Sequence, residues 1–264
     1  MITTNFDIHF GNATDVGFTR RSNEDYYGSF KVTLGWVFVL CDGMGGHVGG
    51  AVAAQTCVEA IRTYFDGNGL PASSDGLLAK AVKFANSVVY KRATGDRSLT
   101  GMGTTIVLLL VDTGGLVYYA HVGDSRIYLF HKGFLQQLTK DHSYVQKLVD
   151  DGIISVEQAE SHPGRNRILR AVGTANDVEV EMSPAPFRLS PPDTILMCSD
   201  GLSGMVKKEK IVEILSAQRD PQAKADLLIE AALQAGGLDN VTVQVIGGAI
   251  TERPFASPPG SSRG

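Results

Sequence analysis

Four aspartates in this 264-residue chain stand where an apolar run stops or starts. Val39-Leu40-Cys41 leads into Asp42-Gly43, and Leu196-Met197-Cys198-Ser199 leads into Asp200-Gly201. Val122-Gly123 leads into Asp124, and Asp239-Asn240 directly precedes the apolar residues from Val241. Short, continuous apolar runs read as buried strands. A carboxylate at the mouth of such a strand is rigidly placed and partly desolvated. Several that converge repel one another unless a cation neutralises them. Oxygen ligands without clustered His or Cys suit hard cations, namely Mg²⁺, Mn²⁺ or Ca²⁺. A lone Asp-Gly after apolar residues is ordinarily a turn. The recurrence sets this pattern apart, as does the sequel Asp42-Gly43-Met44-Gly45-Gly46-His47-Val48-Gly49-Gly50, whose glycines let backbone carbonyls approach a ligand closely.

A strand, a glycine-rich loop and an Ala-rich helix also describe a dinucleotide-binding turn. Here the GxGxxG test fails: Gly43 and Gly45 fit, but the next required position is Val48. The GxxxxGK[ST] phosphate loop is absent as well. A second polar block, Gly17-Phe18-Thr19-Arg20-Arg21-Ser22-Asn23-Glu24-Asp25, is by itself an ordinary turn. Beside a cation site it gains a role: Arg20 could clamp a phosphate bidentately, and Glu24 could orient water on a metal.

The elements that must position these residues alternate in period. Residues 36–41 form a buried strand, and residues 48–65 and 75–94 have helical spacing, the latter with one apolar face from Leu77 to Val89. Residues 104–111, 116–122, 126–130 and 134–138 are short, turn-bounded β-type runs that read as an antiparallel meander. Residues 143–151 and 155–160 are helical, the second opening on the capping box Ser155-Val156-Glu157-Gln158. A strand over 194–198, helices over 207–217 and 222–235, and a strand over 241–246 complete the pattern. Helices thus come in pairs around blocks of antiparallel strands. The expected class is α+β, with two sheets face to face and helices outside, rather than a wound parallel sheet.

Together, the blocks Arg20 with Asn23-Glu24-Asp25, Asp42 to His47, Gly103-Thr104-Thr105, Gly123-Asp124-Ser125-Arg126, Ser199-Asp200-Gly201 and Asp239-Asn240-Val241-Thr242-Val243 resemble the PPM, or type 2C, family of metal-dependent protein phosphatases, in its bacterial branch. Their order and spacing span about residues 10–247. The resemblance implies a four-layer α/β/β/α sandwich, with two mainly antiparallel central sheets flanked by helix pairs and a binuclear centre at one end. It implies two tightly bound Mn²⁺ or Mg²⁺ ions and a weaker third. Asp42 would bridge the two ions, Asp200 and Asp239 would bind the first, and the Gly43 carbonyl the second, with Glu24 acting through water. Asp124 and Asp200 would hold the third, and Arg20 the substrate phosphate. A phosphatase domain over 1–250 would carry a mobile flap at about 142–172, followed by a Pro/Ser/Gly-rich tail over 251–264. Asp25 is expected to support either the fold or the metal ligands from behind, and Thr104 and Thr105 to pack.

The implied reaction is hydrolysis of phosphoserine and phosphothreonine in proteins by direct attack of a water or hydroxide shared between the ions, with no phosphoenzyme. Animal members carry a histidine directly after the Asp-Gly; here that position is Met44, which cannot donate a proton. A water on the metal is the expected acid, with His47 as the rival. His9, His121 and His131 are read as structural or exposed; His142 and His162, in the flap region, lie nearer the expected site but are read as structural too, and the cysteines as buried small hydrophobes.

Composition fits this reading. The chain is 43% hydrophobic, enough for a sizeable core, and its net charge of −4 with no basic patch argues against nucleic acid. Three separated cysteines without a CxxC suit a reducing cytosol, and the opening residues do not read as a signal peptide. No run approaches the roughly 18 apolar residues of a membrane span. The expected partners are phosphoproteins, in opposition to a serine/threonine kinase, for a monomeric cytoplasmic enzyme. Two rivals remain: a pseudophosphatase, against which Asp42, Asp200 and Asp239 argue, and a nucleotide-binding module, against which the failed glycine fingerprint argues.

Overall fold

A computed structural model of the chain describes residues 2–45, 49–67 and 76–254, with side chains for those between 6 and 249. His47 and residues 255–264 therefore lie outside the described residues. The strands are β1 (Ile2–Asp15), β2 (Asp25–Val32), β3 (Gly35–Met44), β4 (Gly103–Thr104), β5 (Ile106–Asp112) and β6 (Leu116–Val122). They continue with β7 (Arg126–His131), β8 (Phe134–Gln137), β9 (Glu181–Met182), β10 (Phe187–Arg188), β11 (Thr194–Cys198) and β12 (Val241–Pro254). The helices are α1 (Gly49–Asp66), α2 (Leu77–Gly95), α3 (Tyr144–Asp150), α4 (Val156–Glu160), α5 (Asp200–Ser203), α6 (Lys208–Ser216) and α7 (Pro221–Gln234).

One sheet runs β1-β12-β11-β7-β8, and the other runs β10-β6-β5-β3-β2, with β4 and β9 attached to β3 and β6. Every pairing is antiparallel. Alternation along the strands sorts the side chains into separate cores. On β3, Val37, Val39 and Cys41 pack with Ala53, Ile61, Leu78 and Val82 of α1 and α2, while Phe38 and Leu40 join Leu109, Ile195, Met197 and Ile246 between the sheets. On the far side, Leu196 and Cys198 of β11 pack with Ile211, Leu215, Leu228 and Ala232 of α6 and α7. The layers are α/β/β/α, as expected.

Three expectations are corrected. The meander is split: β5 and β6 pair in one sheet, the chain turns at Gly123-Asp124-Ser125, and β7 and β8 pair in the other. The final strand does not stop at 246 but runs to Pro254, against β1 along its whole length, so residues 251–254 are strand rather than tail. β1 and β2 themselves carry no strong apolar run, and were not expected as strands. Among the described residues, no helix is long and apolar enough to cross a membrane.

Candidate metal centre

The strand directions bring the acidic residues to one end of the sandwich. Asp42 stands two residues before the end of β3, and the β2–β3 register sets Asp25 directly opposite it. β6 ends just before Asp124, and β11 just before Ser199 and Asp200. Asp239 precedes β12, whose Val243 pairs with Cys198. At Gly201 the Asn240 carbonyl passes so close that no Cβ would fit, which brings the Asp200 and Asp239 turns together. Asn240 ties the loops by accepting from the Glu24 amide (2.8 Å) and donating to the carbonyls of Val16 (2.9 Å) and Ser22 (3.0 Å).

Asp42 is held by its backbone. Its amide donates to Thr105 Oγ1 (3.0 Å), and its carbonyl accepts from the Thr105 amide (2.8 Å) and from Thr104 Oγ1 (2.8 Å). Thr104 and Thr105 do more than pack: they fix the strand end that carries the central carboxylate. The Gly43 amide donates to the Glu24 carbonyl (3.1 Å), and Glu24 Oε2 lies against Gly50 in the first turn of α1, where a Cβ would overlap it. A helix N-terminus favours a carboxylate there. Arg20 Nη2 donates to Asp239 Oδ2 at 2.7 Å, and that bond first, with the charges of Asp239, Asp42 and Glu24, raises the arginine pKa.

The electrostatics are those of crowded anions. Burial first, then the charges of Asp25, Asp200, Asp124 and Asp239, pushes Asp42 well above the usual carboxylate range. Burial and Asp239 push Asp200 up, against a hydrogen bond from Asp42. Asp124, pushed up by burial and Asp200, and Asp25, pushed up by burial, each reach about 7. Asp25 Oδ1 and Asp124 Oδ1 are buried without any hydrogen-bond partner. Buried carboxylate oxygens that lack donors and repel one another are what a hard divalent cation satisfies.

Residues 19–234 match the protein phosphatase 2C family. The chain belongs to that family. It is 37% identical over 250 residues to the serine/threonine phosphatase stp of Listeria monocytogenes, covering 93% of this chain and 98% of that protein. The structure of the S. agalactiae serine/threonine phosphatase superposes with a TM-score of 0.85 at 32% identity, over 91% of this chain and 99% of that one. The catalytic domain of the phosphatase PstP, solved with two manganese ions, gives a TM-score of 0.78 at 35% identity, over 93% and 99%. The donors assembled in this 2C-type phosphatase fit the manganese or magnesium ions that the family resemblance implies: all are oxygens, set at strand ends, two of them unpartnered.

Arg20, Glu24, Asp42, Gly43, Asp124, Asp200 and Asp239 thus all lie at one end of the phosphatase. Sequence reasoning gave too little to Asp25, which is 7% exposed, accepts from Ser199 Oγ (2.8 Å) and is the foremost charge acting on Asp42. Only its place directly after Glu24 marked it in the sequence; the β2–β3 register that sets it opposite Asp42 did not show there. Cys41 and Cys198 are fully buried, and burial pushes the first thiol well up and the second to about 12, which removes them as nucleophiles. Of the histidines, His9 is exposed, His131 pairs with Asp193 (2.7 Å), and His121 and His142 stack on one another beside the Asp124 turn.

Proposed function

We propose that this 2C-type phosphatase hydrolyses phosphoserine and phosphothreonine in proteins, with Asp42, Asp200 and Asp239 holding two cations. In the same proposal, the Gly43 carbonyl and, through water, Glu24 complete that pair, while Asp124 with Asp200 holds a looser third. The observation that carries it is the convergence of these buried, mutually repelling carboxylates with Arg20 at one end of the sandwich. Manganese or magnesium bound there supplies positive charge to a transferring phosphoryl group and makes water acidic.

The chain's own groups do the rest. The Arg20 side chain is half exposed, and its guanidinium can turn a planar fork of donors toward phosphate oxygens. Its contact with Asp239 gives it a resting partner, so the fork is already oriented before a phosphate arrives. Thr104, Thr105 and Asn240 hold the backbones that carry Asp42, Glu24 and Asp239, which limits reorganisation as charge develops. No side-chain nucleophile is required, in keeping with the inert thiols. The segment 142–172 forms a flap beside the site in this reading, and the enzyme works as a monomer in the cytoplasm, opposing a serine/threonine kinase in signalling.

The test is turnover of p-nitrophenyl phosphate and of a phosphothreonine peptide, with Mn²⁺ and after chelation. Activity should vanish in EDTA and return with Mn²⁺ or Mg²⁺. Full activity with metal loss confirmed would end this reading, and binding of phosphopeptide without turnover would make the chain a pseudophosphatase.

A further inference from the structure

Among the described residues, no side-chain donor aims Asp124. Its Oδ1 is buried and unpartnered, so its direction is set by the residues on either side. On one side, Ser125 Oγ shares a hydrogen bond with Thr105 Oγ1 (2.7 Å), the hydroxyl that also receives the Asp42 amide. On the other side is Gly123, at φ +106, where a Cβ would collide with Thr105. Among the described residues, both backbone hydrogen bonds of Gly123 go to His142. The Gly123 amide donates to His142 Nδ1 (3.1 Å), and its carbonyl accepts from the His142 amide (2.9 Å).

His142 also stands at the neck of the segment 142–172. Its carbonyl accepts from the Leu169 amide (2.8 Å), and the next residues close the neck through the Ser143–Ile168 bridge and the Tyr144 amide on the Arg167 carbonyl (2.8 Å). The far edge of the ring faces this neck. Because Gly123 donates to Nδ1, the ring proton sits on Nε2, 3.2 Å from Glu181 Oε2. Arg170 Nη1 lies 3.2 Å from the same nitrogen and extends Nη2 to Glu179 (2.6 Å).

His121, His142 and Glu181 bring ligand-type atoms within 4.8 Å of one another. The two rings, however, stack at 4.7 Å with only 16° between their planes. Their in-plane lone pairs run side by side instead of meeting at a point, and Arg170 places a cation among them. His121 is further fixed by the bond between its Nε2 and the Lys140 carbonyl (2.8 Å). The cluster is built as a tether with a packed backing, and its geometry is wrong for a shared metal.

We propose that His142 is a positioning residue that couples the flap segment to the Asp124 carboxylate, its Nδ1 accepting from the Gly123 amide, its Nε2–H donating to Glu181 and its backbone carbonyl holding the Leu169 amide. The proposal rests on the reading of Asp124 as a ligand of the looser cation. The two ends of the ring can be removed separately. In His142→Asn the amide oxygen stands near the place of Nδ1 and can still accept from Gly123, but nothing reaches Glu181. In His142→Gln the amide nitrogen stands near the place of Nε2 and can still donate to Glu181, but the Gly123 amide loses its acceptor.

The readouts are amide hydrogen exchange of the chelated protein, segment by segment, and calorimetric Mn²⁺ titration of the full chain, with thermal melts to confirm folding. For His142→Gln we expect exchange at residues 123–125 to quicken about five- to tenfold and the weakest Mn²⁺ site to lose about tenfold in affinity. Residues 165–170 should stay protected. For His142→Asn we expect the reverse pattern: native exchange at 123–125, near-native Mn²⁺ binding and faster exchange at 165–170. His142→Ala should show both defects. Indistinguishable patterns for the Asn and Gln variants would overturn the tether, since a merely structural residue gives one defect. Asp124→Ala separates the two readings: if it leaves the weakest Mn²⁺ site intact, Asp124 is no ligand, and the link to cation binding falls even where the exchange patterns hold.

Discussion

The middle and the end of the inter-sheet layer are made by the same strands, on the same faces. Along β3, Phe38 and Leu40 are fully buried between the sheets, and Asp42 is the next residue on that face. Along β11, Ile195 and Met197 are followed in the same alternation by Ser199, and along β2, Tyr27 is preceded by Asp25. In the middle, Phe38, Leu40, Ile195 and Met197 are satisfied by contact alone. At the end, the Asp25–Ser199 bond crosses from sheet to sheet, and carboxylate oxygens are left without donors. One scaffold therefore stores stability in its middle and spends part of it on crowded charge at its rim, where a cation can bind. Active sites are often less than optimally stable for this reason.

The sharpest way to break the comparison is to exchange the consequences of its two halves. Asp42→Asn and Asp239→Asn should each lower turnover by on the order of 10³-fold or more, because a neutral amide cannot hold the cation charge that stabilises the transition state. In chelated protein the same variants should melt at the wild-type temperature or above it, since each removes one repelling anion. Phe38→Ala, two turns of alternation below Asp42, should do the opposite: it should cost about 3–5 kcal/mol of stability while leaving kcat per folded molecule nearly unchanged. Denaturant titration and active-site-normalised kinetics check both. An Asp42→Asn protein as unstable as Phe38→Ala would show that Asp42 belongs to the core rather than to the rim.

A second test uses pH. The folded-state pKa values of Asp25 and Asp124 are raised to about 7 from an ordinary 3.8. Between those values the folded chain keeps protons that the unfolded chain has released, so the stabilising contribution is full below about 4 and is lost as pH rises through about 7. The melting temperature of chelated protein should therefore fall between pH 5 and pH 7.5, and the gain from saturating Mn²⁺ should be larger at pH 7.5. A chelated protein that grows steadily more stable over this range would contradict the repulsion at the rim.

The middle of the layer was far more legible in the sequence than its rim partners were. Residues 36–41 and 194–198 announce themselves as continuous apolar runs, which is a local signal. β1 does not, because its partner is β12, more than two hundred residues away, and pairing at that distance leaves little mark on composition. The aspartates proposed as cation ligands were legible because each ends or begins an apolar run. Asp25 was not, since it stands among other polar residues and only the β2–β3 register sets it against Asp42. The role of His142 was equally hidden: its partner Gly123 is brought to it by the turn that splits the expected meander between the two sheets.

Arg20 gives a smaller effect. Arg20→Ala should raise KM for phosphopeptide by about tenfold or more, since hydrogen bonds to charged groups contribute about 1.5–3 kcal/mol, and should leave Mn²⁺ affinity almost unchanged. Arg20→Lys should recover only part of the loss, because an ammonium lacks the bidentate fork. Steady-state kinetics beside calorimetry separate the two parameters. Should Arg21→Ala, and not Arg20→Ala, produce the KM defect, the phosphate would be held by the neighbouring side chain.

The smallest expected effect compares two positions on one face of β11 and its continuation. Ile195 lies fully buried in the middle of the layer; Ser199, equally buried, donates to Asp25 Oδ2 and accepts from the Thr242 amide at 3.0 Å. Ile195→Val removes one methyl group and should cost about 0.5–1.5 kcal/mol, the same between pH 5 and pH 8, because it lies in the apolar middle of the layer. Ser199→Ala removes a donor that holds the Asp25 pKa down, so that pKa should rise above about 7. Near pH 5, where Asp25 keeps its proton, the loss should resemble that of a neutral hydrogen bond, about 1 kcal/mol. Near pH 8 the buried carboxylate must ionise without that donor, and the loss should grow toward about 3 kcal/mol. The two variants, unfolded in denaturant with chelator at both pH values, should therefore diverge as pH rises. A cost for Ser199→Ala as flat with pH as that for Ile195→Val would mean that Asp25 does not carry the charge at the rim.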